Sequence, residues 1–264
     1  MRPVRSRASV ADVKPISSRS TQTAAGTGSA PTVVVRDLRK RYRDVLALDS
    51  VDFTLTAGSI TGFLGANGAG KTTTLRVLLG LSRPTSGEAF VFGRPYRDLP
   101  DPTRRVGALL ESDDFDPGRT GRNHLRALAL ATGVGFDRAD EVVELVDLDR
   151  AADRRVGGYS LGMRQRLGLA GAMLGDPELL ILDEPANGLD AAGVRWLRGF
   201  LRHFATSGGT VLMSSHLLAE VAQTVDQVMI ISHGRLAATV SMADLDGGTA
   251  LEDYYLHLTG GNGQ

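Results

Sequence analysis

The chain has no cysteine. That excludes disulfides, thiolate catalysis and cysteine-bound metals, and it leaves the redox compartment open. Net charge is absent too: 30 basic residues balance 30 acidic ones, so nothing in the balance draws the chain to nucleic acid. Long apolar runs are missing as well. None approaches the ~18 residues of a membrane-crossing helix, and no apolar segment follows the early arginines, as a secretion signal requires. What remains, in 264 residues with 42% hydrophobic and 23% charged side chains, is a globular composition with ample length for a core.

Residues 1–31 stand apart. They are rich in Arg, Ser, Thr, Ala and Gly and poor in large apolar side chains, so they cannot offset the entropy of ordering. We read them as a disordered tail, either grazing an anionic membrane surface or arising from a misplaced start.

The ordered chain centres on Gly65-Ala66-Asn67-Gly68-Ala69-Gly70-Lys71-Thr72, followed by Thr73. The form G-x-x-x-x-G-K-[ST] is that of a phosphate-binding loop. Its glycines admit backbone conformations closed to other residues and let successive N–H groups turn inward on a phosphate chain. Lys71 adds charge for the outer phosphates, and the Thr72 hydroxyl is placed for a magnesium ion. The flanks suit the loop: 59–64 reads as a buried strand and 72–79 as a helix start. A helix N-terminus carries unpaired donors and roughly half a positive charge.

Around this loop, 32–38 and 51–56 read as strands, with Tyr42 between them offering a ring face on which a base can stack. Residues 88–93 read as another strand. From 112 to 175 the texture is helical: 122–131 and 140–148 carry apolar residues at helical spacing, the second with Val142, Val143, Leu145 and Val146 inward. Ser160 is a good N-cap for the helix that follows, whose free N–H groups make a second anion site.

The run 179–182 is apolar throughout, as in a parallel strand buried on both faces. Asp183 and Glu184 end it, at the edge where open α/β sheets place ligands. Alternation along a strand would send the two acids opposite ways, Asp183 toward magnesium and Glu184 toward an attacking water as general base. Asn187-Gly188-Leu189-Asp190 leads into a helix over 191–204. A further buried strand, 210–213, leads to His216, placed to orient that water. His124, His203, His233 and His257 have no such setting. The chain closes with a hairpin over 227–240 and a short amphipathic helix near 251–258.

Taken in order, these pieces resemble the nucleotide-binding subunit of an ATP-binding cassette (ABC) transporter from residue 32 to the C-terminus. Tyr42 falls at the adenine-stacking position, 65–72 at Walker A, 159–166 at the signature motif, 180–184 at Walker B, 187–190 at the D-loop and His216 at the switch histidine. The resemblance implies an α/β P-loop NTPase fold. A RecA-like mixed-sheet core with an antiparallel β subdomain spans 32–111 and 176–264, and an inserted helical subdomain spans 112–175. It also implies ATP and Mg2+ as ligands, with Lys71, Glu184 and His216 catalytic. A polytopic permease and a second, homodimeric cassette are the implied partners, at the cytoplasmic face of the cell membrane. Cassettes of this family pair head to tail, so Ser160, Gly162 and Asp190 would serve the partner's ATP.

Two departures qualify this. The usual signature Leu-Ser-Gly-Gly-Gln stands here as Tyr159-Ser160-Leu161-Gly162-Met163. Glu111 stands where the family has a glutamine, and is read as a magnesium ligand. Both departures resemble the bacitracin, lantibiotic-immunity and multidrug-efflux branch, which implies export. A soluble cassette ATPase serving cofactor assembly is the alternative reading.

Overall fold

A computed structural model describes residues 30–110, 115–245 and 248–260. The N-terminal tail and Glu111 lie outside the described residues. Strand β3 (Ile60–Leu64) is buried at every residue, because it lies inside a six-stranded sheet. Around it run β5 (Val106–Leu109), β6 (Leu179–Leu182), β7 (Thr210–Ser215), β8 (Gln227–Ser232) and β9 (Arg235–Ser241), in the order β5-β6-β7-β3-β8-β9. All neighbours are parallel except β8 and β9, which form the expected hairpin.

Each central strand feeds two cores, since successive side chains leave opposite faces of a sheet. Leu179, Ile181, Leu212, Phe63 and Met229 enter one core with α1 (Lys71–Leu78) and a three-stranded antiparallel sheet. That smaller sheet has the order β2-β1-β4, from β1 (Val33–Tyr42), β2 (Val45–Leu55) and β4 (Ser86–Val91). Leu180, Leu182, Val211, Met213 and Ile230 enter the other core. Helices α6 (Ala191–Thr206), α7 (Leu218–Thr224) and α8 (Gly248–Gly260) contribute Leu201, Val221 and Leu251 to it.

A four-residue helix, α2 (Pro102–Arg105), precedes β5. The stretch between β5 and β6 is helical, as expected: α3 (Gly121–Thr132), α4 (Phe136–Leu145) and α5 (Leu161–Met173). Thr120 caps α3 by accepting from Asn123 N, and Gly133 ends it in the left-handed region at φ 71°. In α4, Ala139, Val142 and Val143 are buried and Val146 just beyond joins them, but Leu145 is 41% exposed. It falls about 110° from the centre of the arc those residues define at 100° per residue, so the inward assignment of Leu145 is corrected. Helix α5 carries buried residues around most of its circumference because the other helices and β5 enclose it. Its start is capped as read: the Ser160 hydroxyl accepts from Met163 N.

Candidate functional site

Three adjacent parallel strands, β6, β7 and β3, end at the same sheet edge, which brings 65–73, 183–184 and 214–216 together. Gly70 closes the loop at φ 113°, and a Cβ there would lie 2.9 Å from the Ala47 carbonyl oxygen. Only glycine satisfies both demands. Gly70 also supplies no capping side chain to α1, so no side chain of the N-cap occupies the helix's first N–H groups, and Gly70 to Thr73 border a cleft.

The cleft measures about 470 Å³ and is bounded by 66–68, Gly70 to Thr73, Leu110, Gln165, Asp183, Glu184 and Asn187. Lys71 is 6% exposed. Its ammonium donates to the carbonyl of Gly65 at 2.6 Å and of Ala66 at 3.4 Å, and it pairs with Glu184 at 3.5 Å. A cation this buried requires such compensation. The Thr72 hydroxyl donates to Asp183 Oδ2 at 2.6 Å, and the Ser214 hydroxyl donates to Asp183 Oδ1.

Glu184 does not continue the strand. It turns into the left-handed region at φ 49°, a conformation costing about 1–2 kcal/mol for a residue with a Cβ. Its N–H donates to Ser214 Oγ at 3.0 Å, and its Oε2 meets His216 Nδ1 at 2.8 Å. The expected division by strand alternation is therefore corrected. Both carboxylates line one cleft, and the turn after Leu182 separates their partners.

Several predicted residues do not border this cleft. His216 is one, joined to it through Glu184 Oε2. Tyr42 is 44% exposed at the end of β1, with Lys40 Nζ 4.6 Å from its ring centroid and its hydroxyl 3.1 Å from Ser82 Oγ. Ser160 and Gly162 open α5, and Asp190 caps α6 by accepting from Gly193 N at 2.7 Å; none of the three borders the cleft. Gly65 and Ala69 support the loop from behind: Gly65 presses on Ile231 and Gly234 N donates to the Ala69 carbonyl.

Ser214, Gln165 and Asn187 were not among the predicted contacts. Ser214 follows Met213, which pairs with Leu182, so register alone puts it beside Asp183. Gln165 is a buried amide on α5, set between Arg164 and Arg166. Glu220, on α7 just past His216, has a buried Oε2 with no partner. Burial holds its pKa above the ordinary value and the charge of Glu184 adds to this, while His216 and Arg198 act against it.

The residues present fit a magnesium-bound nucleoside triphosphate. Among the described residues no three His, Asp or Glu side chains gather as a protein-only metal cage. Magnesium needs none: it keeps waters and takes one or two hard oxygens beside substrate phosphates. Thr72 Oγ1 and Asp183 Oδ2 are such oxygens, next to a loop of donors and a lysine.

Comparison with known proteins agrees with this geometry. A family profile described as "ABC transporter" matches residues 48–187. The bacitracin transport ATP-binding protein BcrA of Bacillus licheniformis is 44% identical over 203 residues, covering 76% of this chain and 66% of that protein. A Nod factor export ATP-binding protein of Burkholderia lata is 39% identical over 210 residues, covering 77% of this chain and 68% of that one. Among solved structures, an ATP-binding subunit of an ABC transporter superposes with a TM-score of 0.77 at 28% identity, covering 86% of this chain and 99% of that chain. A cassette bound to ADP and Pi shares the fold, with a TM-score of 0.72 at 21% identity over 80% of this chain and 98% of its own. With more than half its length matched and relatives well above 30% identity, the chain belongs to the ABC transporter family, among its ATP-binding subunits.

Proposed function

We propose that this chain binds and hydrolyses ATP to drive export of an antibiotic-, peptide- or drug-like cargo through a polytopic permease. It would sit at the cytoplasmic face of that partner. The relatives named for bacitracin transport and Nod factor export support the direction. One observation carries the catalytic reading: Glu184 is held between Lys71 and His216 at the mouth of the loop, beside the Thr72–Asp183 pair.

Backbone N–H groups of 66–73 cradle the phosphate chain, and Tyr42 stacks the adenine from outside the cleft. Lys71 exchanges its two carbonyls and Glu184 for phosphate oxygens, a charge-assisted trade. Thr72 and Asp183 would hold magnesium, which when bound neutralises charge developing on the phosphates. Glu184 then takes a proton from water, and His216, fixed through Nδ1, sets the carboxylate's orientation. The segment 112–175 serves as a helical subdomain on a core formed by 32–111 and 176–264. Ser160 and Gly162 do not border their own cleft, which supports their use on the nucleotide of a second, identical chain. Differential affinity for ATP between open and closed pairs supplies the conformational work.

The test is phosphate release from Mg-ATP together with fluorescent-nucleotide titration. Lys71→Ala abolishes tight binding, and unchanged affinity would remove the loop from the reading. Glu184→Gln retains binding while turnover falls roughly 10²–10⁴-fold, the usual contribution of a general base. Near-normal turnover in that variant counts against Glu184 as the base.

A further inference from the structure

Leu161 is a large apolar residue at the first turn of α5, left 41% exposed. Its side chain is seated on the backbone of Gly188. An added Cβ at Gly188 would lie 1.9 Å from Leu161 Cδ2 and 2.9 Å from its Cγ, so a side chain there would have to displace the leucine. Gly188 also sits at φ 71°, a region that glycine alone enters freely. Two further observations place the helix alongside. Gly162 lies near enough to Leu189 that an added Cβ would meet its Cδ2 at 3.4 Å, and Gln165 Nε2 donates to the Asn187 carbonyl at 3.4 Å. The first two turns of α5 therefore bear on 187–189.

That segment is one piece with Glu184. Asn187 N donates to the Glu184 carbonyl at 3.0 Å, and Leu189 N to the Ala186 carbonyl at 3.1 Å. Pushing on Gly188 pushes on the turn that aims the Glu184 carboxylate.

We propose that Leu161 is a positioning residue, a wedge on Gly188 that locks the 184–190 turn to the start of α5 in the same chain. The position is one where the sequence departs from the usual signature, so the wedge is particular to chains with a bulky apolar residue there. Its effect on turnover rests on the ATPase reading above; its effect on the turn does not.

The experiment is amide hydrogen exchange over 184–190 in the full chain without nucleotide, followed by ATPase kinetics. Leu161→Ala keeps the helix and removes the wedge, and exchange over 184–190 rises roughly tenfold, a local opening rather than global unfolding. Leu161→Met refills the space and restores protection. Gly188→Ala alone disrupts the turn. In the Leu161→Ala background its cost shrinks, because the new methyl then lies 3.8 Å from the Cβ of residue 161, an ordinary contact; such non-additivity marks direct coupling. In turnover, Leu161→Ala lowers kcat with the KM for ATP within about twofold, since binding groups are untouched. Unchanged exchange in Leu161→Ala, or strictly additive costs in the double variant, overturns the wedge. A kcat that holds steady while the turn loosens overturns the positioning of Glu184 by that wedge. A wild-type preparation without turnover counts against the ATPase reading alone, because the exchange measurements still decide the wedge.

Discussion

At the scale of single residues, Glu220 departs from what its sequence position suggests. Its buried, unpartnered oxygen and the neighbouring Glu184 raise its pKa above 4.5. A raised folded pKa means that the folded chain holds the proton more tightly than the unfolded one, so ionisation costs stability at neutral pH and nothing below the unfolded value. Glu220→Gln should therefore raise Tm at pH 7 by about 1–2 °C, the size of a fraction of a kcal/mol in a chain this long, with no gain near pH 4. An equal gain at both pH values would assign the effect to packing. His216 could be read from sequence because it ends an apolar strand. Ser214 could not, since a serine at a strand end is unremarkable until register sets it beside Asp183. Likewise, Glu184's pairing with Lys71 depends on a left-handed turn that no residue type announces: Pro185 follows it, but a glutamate at positive φ is unusual for any sequence.

At the scale of elements, legibility followed length and enclosure. Strand β6 was readable because four apolar residues in a row have few other uses, and α5 because Ser160 caps it. Strand β5 is four residues with a glycine pressed against the Ala172 carbonyl, where a Cβ would come within 2.2 Å, so its sequence carries packing information and no period. Helix α7 is seven residues without a side-chain cap, and its existence follows from burying Val221 against the sheet. Helix α3 carries a testable pH response. His124 is half-buried, with its ring edge-on to Phe115 at 5.0 Å and 74°. Burial lowers its pKa and Arg119 adds to this, with Asp116 opposing. A histidine held neutral on folding stabilises above pH 6.5, and that stability is lost as pH falls toward the depressed value. Rate-corrected exchange over 121–132 should accelerate between pH 7 and pH 5, and His124→Gln should flatten that response. The same acceleration in the variant would assign it elsewhere.

At the scale of the whole molecule, the order of motifs along the chain declared the family before any coordinates, because the fold gathers three strand ends that lie far apart in sequence. Cargo stayed illegible for a physical reason: on the proposed reading the permease, not this chain, touches it. No described helix is long and apolar enough to cross a membrane; on the proposed reading the chain reaches the membrane through the permease. Fractionation should find the chain with membranes alongside a polytopic protein and should release it when that partner is deleted. Recovery in the soluble fraction with the partner present would favour the cofactor-assembly alternative. The Lys71–Glu184 pair has a consequence at this scale too. On the proposed reading, the ammonium that would greet an incoming triphosphate also restrains the carboxylate that would activate water. Arrival of fuel would then be the event that unties that carboxylate.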